Sequence, residues 1–348
     1  MTRFCLLLGL FVSATCVGDD LESQMRMRME EKVFLQSRPA GVQHRQAEAV
    51  RAAMRGDSRE LTAIREERNS PPALPEGVER RDLTTTLTLF APSRPASRPR
   101  PVLLYLHGGG WAFGSINSCA RFCAALALAG DVCVVAQNYR LAPENPYPAA
   151  LDDCRAAFRY LREHAAEWGG DSSRISIGGD SAGGNLAFAA ALAEPGVHSI
   201  VPIYPVTRLF TVETESWRTY GKGYGNDAEL MEAFQEAYAG ANGRDPLVSV
   251  ECATDAALRG LPPTLVIAAG RDVLLDQGAA FVRRLRENGV TVDYHVFAGA
   301  THLFITVPGQ PTAFAEAVRL AADFLNRDQR RRCVKENDLN QKRKDDAK

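Results

Sequence analysis

Short apolar-rich runs recur along this chain and alternate with stretches of helical spacing, and that alternation limits the fold more than any other feature. Val102–Leu106, Val132–Ala136, Ile175–Ile177, Ile200–Tyr204, Leu265–Ala269 and Val292–Phe297 read as strands. Arg121–Leu128, Asp152–His164, Ala182–Leu192, Ala279–Asn288 and Ala313–Leu325 read as the helices between and after them. A strand that is apolar throughout is one buried on both faces of a parallel sheet. The alternation therefore predicts an α/β protein with an open, doubly wound, mostly parallel sheet, whose ligands sit outside the carboxyl ends of the strands.

The chain has 348 residues with a formal net charge of -1, so nothing in its bulk charge draws it to nucleic acid or to an anionic membrane. Its beginning has the order of a secretory signal peptide over residues 1–18: Arg3, an apolar run from Phe4 to Val17, then small residues before Asp19-Asp20. Cleavage is expected near Gly18 and the mature chain in the secretory lumen or outside the cell. The run is too short to span a bilayer comfortably, which favours the cleaved signal; a retained short anchor is the alternative. Of eight cysteines, Cys5 and Cys16 fall in this leader. The spacings of the others match no zinc pattern and assign no disulfide.

Residues 19–75 form a helical region, with two short amphipathic helices over Val42–Arg68 broken near Gly56 and a Pro-rich linker at Ser70–Pro75. The catalytic unit is expected over residues 76–327. It begins with an alternating strand, Arg81–Phe90, whose threonines face water. Within it, Thr207–Ala241 is too long for a simple connection and contains a helix over Asp227–Tyr238, so an excursion across the sheet is expected at about 207–245. The charged tail, residues 328–348, reads as disordered.

Four stretches carry chemistry. Gly179-Asp180-Ser181-Ala182-Gly183-Gly184 lies between a strand and a helix, where glycines permit a hard turn that presents the serine hydroxyl. An anion-binding turn is the bland reading of that stretch alone. His107-Gly108-Gly109-Gly110-Trp111 follows a buried strand and supplies backbone N–H groups for a developing oxyanion, with Gly108, Gly109 and Ala182 as the expected donors. Neither glycine run spells a dinucleotide or phosphate-loop motif. Among six histidines, His302 follows a late strand through the loop Ala298–Thr301, and Asp272 ends the strand before it; they are the candidate base and acid for Ser181. Asp276 would cap the next helix, and Asp180 would point away across the turn.

Together these stretches resemble the hormone-sensitive-lipase-like family of α/β-hydrolases. The resemblance runs from about Arg81 to Leu325 and includes Asn138-Tyr139-Arg140-Leu141-Ala142-Pro143-Glu144 and Asp245-Pro246-Leu247-Val248-Ser249. It implies an α/β-hydrolase fold with a helical cap built from the N-terminal helices and the excursion. It also implies a serine carboxylesterase acting on short to medium esters, with no metal or organic cofactor and a small-molecule ester as its partner. An amidase or deacetylase on small acyl groups is the alternative chemistry, and a non-catalytic receptor for small ligands the alternative class. Two positions depart from the family: His302 is followed by Leu303-Phe304 where glycine and phenylalanine are usual, and Asp272 by Val273 where proline is usual.

Overall fold

The computed structural model describes residues 14–327; residues 1–13, where most of the expected leader falls, and the 328–348 tail lie outside that range. Eight strands form one sheet in the order β1-β2-β4-β3-β5-β6-β7-β8. They are β1 (Val78–Asp82), β2 (Leu87–Pro92), β3 (Arg100–Leu106), β4 (Cys133–Gln137), β5 (Gly170–Asp180), β6 (Ile200–Ile203), β7 (Thr264–Arg271) and β8 (Val292–Thr301). Only β2 runs against the rest of the sheet. The sheet is flanked by α4 (Ile116–Gly130), α5 (Ala149–His164), α6 (Ala182–Ala193), α9 (Asp255–Leu258), α10 (Leu275–Glu287) and α11 (Pro311–Leu325). Two apolar cores lie on its two faces, as the unbroken burial of β3, β4 and β6 requires. From β3 the chain crosses to β4 on one side, then returns to place β5 on the other. The carboxyl ends of β3 and β5 therefore border the switch point where such sheets bind ligands.

Three more helices precede the sheet, α1 (Ala14–Ser37), α2 (Val42–Met54) and α3 (Arg59–Arg68), and two belong to the excursion, α7 (Glu215–Tyr220) and α8 (Ala228–Tyr238). The break near Gly56 falls between α2 and α3, and α2 packs on α8 as one cap layer. The helix α1 falls mostly in the helical region expected from residue 19, where no separate helix was read, and it contains the position near Gly18 where cleavage is expected. It lies along β8 and α11, not in the cap layer, and is held by Arg271 on Glu31 and by Thr312 on Glu30. No helix among the described residues is long and apolar enough to cross a membrane.

The single strand expected over Arg81–Phe90 is a hairpin. Leu83 and Thr84 N–H groups both reach the Leu87 carbonyl, so the chain reverses and β2 pairs with β1 on one side and β4 on the other. Thr88 is consequently buried, and its hydroxyl donates to Asp82 at 2.6 Å instead of to water. Alternation cannot register a turn that a few residues complete. Cys119, Cys123, Cys133 and Cys154 are buried free thiols and Cys252 is a part-buried one.

Candidate active site

Ser181 sits between β5 and α6 with φ 55° and ψ -116°, a conformation that an L-residue adopts only under constraint. The constraint is close packing. A Cβ on Gly179 or on Gly183 would overlap the Leu106 carbonyl oxygen at the end of β3, so only glycine lets the elbow sit so near that strand. The Ser181 N–H donates to the Ile203 carbonyl and its own carbonyl accepts from Asn185 and Val206, which locks the turn from both sides. Asn185, fully buried in α6, donates to Val206 and Val248, the entry and exit of the excursion.

Asp272 follows β7 and His302 follows β8, and the pairing Arg271↔Thr301 brings the two strand ends level. The loop expected at Ala298–Thr301 is strand as far as Thr301, with a register shift that redirects the chain before His302. His302 Nδ1 lies 2.5 Å from Asp272 Oδ2, and Nε2 lies 3.1 Å from Ser181 Oγ. A carboxylate only accepts, so Nδ1 carries the proton and Nε2 is left to accept from the Ser181 hydroxyl. All three side chains are buried, Ser181 being 7 %, Asp272 1 % and His302 3 % exposed. Tyr204 packs its ring 4.3 Å from the imidazole, and Gln310 donates to the Thr301 and His302 carbonyls while accepting from Thr301 N–H. Sequence reasoning found neither, because both act through contacts that no local spacing encodes.

Four of the five non-glycine residues with positive φ among the described residues are Trp111, Ser181, Tyr204 and Leu303, each on a strand-end turn of this site. Leu303, at φ 75°, explains one departure from the family. The turn after the histidine requires a left-handed residue, which glycine supplies freely and leucine adopts with strain.

Three expectations need correction here. Asp180 does not point away: its buried carboxylate accepts from Tyr105 O–H at 2.9 Å and from Gly108 N–H at 3.0 Å. Burial pushes its pKa up to about 6 against the pull of those two donors. Gly108 is therefore not a free oxyanion donor, because its N–H already serves Asp180. Gly109 and Gly110 bond to no acceptor through their N–H groups among the described residues, and neither does Ala182 at the start of α6. Asp276 likewise does not cap α10. Its Oδ2 accepts from Ser216 N–H at 2.8 Å and, with Ser216 Oγ donating to the Val273 carbonyl, anchors α7 beside Asp272.

His107 heads the glycine loop as a structural residue. Burial, foremost, and then the Arg68 cation lower its pKa to about 4, against the pull of its bond to the Gly108 carbonyl, so it is neutral near pH 7. It stacks on Tyr139, whose hydroxyl donates to the His107 carbonyl at 2.7 Å. The cap closes on this loop: Phe234 of α8 covers Gly110, and Tyr238 stacks on Trp111 at 4.5 Å. Among the described residues no cluster of three or more His, Cys, Asp or Glu is placed to hold a metal ion.

Residues 103–306 match the family described by its α/β-hydrolase fold. The chain is 36% identical over 220 residues to the carboxylic ester hydrolase LipN of Mycobacterium tuberculosis, covering 60% of this chain and 58% of that protein. It is 40% identical over 213 residues to an ethyl acetate hydrolase of Pseudomonas putida, covering 58% of this chain and 65% of that one. The match thus spans under two thirds of the length of these relatives. A thermostable esterase from Pseudomonas putida superposes with a TM-score of 0.69 at 27% identity, covering 83% of this chain and 98% of the esterase. The family match takes in more than half of the chain, the sheet carries the order and switch point that such a fold requires, and the esterase superposes over nearly its whole length. The chain belongs to the α/β-hydrolase fold family, in its hormone-sensitive-lipase-like branch.

Proposed function

We propose that this chain is a serine hydrolase of short to medium carboxylic esters. The observation that carries the reading is the continuous contact Asp272–His302–Ser181 at the carboxyl ends of β7, β8 and β5 of one sheet. Ester hydrolysis needs a nucleophile, a base to take its proton and donors for the oxyanion. Ser181 Oγ attacks the ester carbonyl as His302 Nε2 takes its proton, and Asp272 stabilises the imidazolium that forms. Gly109, Gly110 and Ala182 N–H groups are assigned to the tetrahedral oxyanion. His302 then gives the proton to the departing alcohol, and water, activated by the same base, releases the acid from Ser181. The names of the relatives support an ester over an amide, and the aromatic cap over Gly110 and Trp111 supports a pocket of limited length.

A p-nitrophenyl ester series from acetate to palmitate, run on the protein beside Ser181→Ala, tests this. Turnover of the short members that disappears in the variant is expected. Turnover that persists in Ser181→Ala would remove the serine from the chemistry.

A further inference from the structure

Arg65 and Arg68 leave α3 one turn apart and differ in how they are satisfied. Arg65 donates to the Ala112 and Ala142 carbonyls at 2.8 Å and pairs with Glu144, which clamps α3 onto the glycine loop. Arg68 makes no hydrogen bond or ion pair among the described residues. Its guanidinium lies over the Phe113 ring at 5.3 Å. That residue backs the oxyanion loop: the Phe113 carbonyl abuts Gly109, and its ring meets Phe234, the cover of Gly110, edge-on at 5.6 Å.

Arg38, just past α1, is in the same condition. Its side chain has no hydrogen bond or ion pair among the described residues, and its Nε is buried without an acceptor. It lines a cavity of about 540 Å³ whose wall also includes Lys222 and Gly225. Gly225 rests on the histidine turn, where an added Cβ would lie 3.8 Å from Leu303 and 3.9 Å from the His302 carbonyl. The acidic residues facing this cavity are already engaged. Asp227 accepts from Gly223 N–H, and Glu229 is shared by His44 at 2.9 Å and Arg51 at 3.6 Å. Burial lowers the pKa of both arginines, and Arg68 is lowered further by Arg38 while Asp180 opposes it.

A part-buried guanidinium without an acceptor is unfavourable, and a carboxylate is the group its fork of donors fits. We infer that Arg38 and Arg68 form an anion subsite flanking Ser181, and that the ester cleaved here carries a free carboxylate. The inference rests on the hydrolase reading above and narrows its substrate class. A neutral ester would leave both cations unanswered.

The experiment measures kcat/KM by pH-stat for two pairs of esters. Methyl hydrogen glutarate and its uncharged counterpart methyl glutaramate place the charge in the acyl part; acetoxyacetate and acetoxyacetamide place it in the alcohol part. In one pair the charged member is expected to be preferred by about tenfold or more, the scale of a charge-assisted contact. The ratio should fall toward one in Arg38→Met and in Arg68→Met, and should be partly kept in Arg38→Lys. A ratio of one in both pairs for the wild type, or one that neither methionine variant moves, overturns the subsite and leaves the hydrolase reading standing. If no ester is cleaved at all, the hydrolase reading fails, and glutarate binding to Ser181→Ala by calorimetry decides the subsite alone. Binding that Arg38→Met abolishes supports it; no binding overturns it.

Discussion

The floor and the roof of the site are built by different means. The floor, where β3, β5, β7 and β8 end, is held by buried hydrogen bonds and by glycines set against backbone, with Leu106 carbonyl oxygen against Gly179 and Gly183 as its tightest joint. The roof, α2 and α3 with α7 and α8, buries apolar side chains such as Val50, Leu61, Leu230 and Phe234 and adds part-exposed ion pairs such as His44 on Glu229 and Arg51 on Glu236. Pairs of that kind contribute about 0–1 kcal/mol each, whereas a methyl forced into the floor has nowhere to go. The floor thus tolerates no added atom, whereas the part-exposed pairs of the roof can change at little cost to the fold.

Paired glycine substitutions probe this contrast most strongly. Gly183→Ala drives a Cβ into the Leu106 and His107 carbonyls and should destabilise the protein by more than about 4 kcal/mol or prevent folding. Gly41→Ala, in the roof, meets no atom within 4 Å and faces only its φ of 73°, so a cost of about 1 kcal/mol is expected in urea unfolding. Equal costs at the two positions would erase the distinction.

The joint between floor and roof gives an intermediate effect. Gly110→Ala sets a methyl against the Phe234 ring and should displace one oxyanion N–H, lowering kcat by about 10²-fold, the scale seen when one such donor is lost. Adding Phe234→Ala should restore much of that loss, since the clash is then gone. A double variant no better than the single one would place the defect in the backbone at φ 61° and not in the cap.

The smallest effect concerns the buried charge of the floor. Asp180 has a pKa of about 6 in the folded protein against 3.8 for the free side chain, so the folded state binds this proton more tightly than the unfolded one. Its contribution to stability is full below about pH 4 and is lost as pH rises through about 6, a fall on the order of 2–3 kcal/mol. Asp180→Asn should remove that part of the pH dependence, read from urea midpoints between pH 4 and 7. An unchanged profile would mean that the carboxylate keeps a solvent-like environment.

Much of the floor was legible in the sequence because its demands are local. Glycines around Ser181, a glycine loop after an apolar strand, and an acid and a histidine at later strand ends all appear as residue types in order. What sequence reasoning misplaced depends on directions. Nothing local says that the Asp180 side chain turns back to hold Gly108, or that Asp276 reaches Ser216 across 60 residues. The bounds of α1 were not legible within the helical region because apolar residues occupy both its faces. Met27 and Phe34 are buried while Leu21, Met25, Met29 and Val33 are exposed, which erases the amphipathic signal. The roof was legible only as helices, since its pairings join residues such as Arg51 and Glu236 that lie 185 positions apart.

The account stands or falls on Ser181 as the activated nucleophile, and a fluorophosphonate label followed by intact-mass and peptide analysis tests this most directly. One adduct per chain is expected, located on Ser181 and strongly slowed in His302→Ala, because the hydroxyl reacts only when Nε2 takes its proton. An adduct on another residue, or labelling of Ser181 at an unchanged rate without His302, would contradict it.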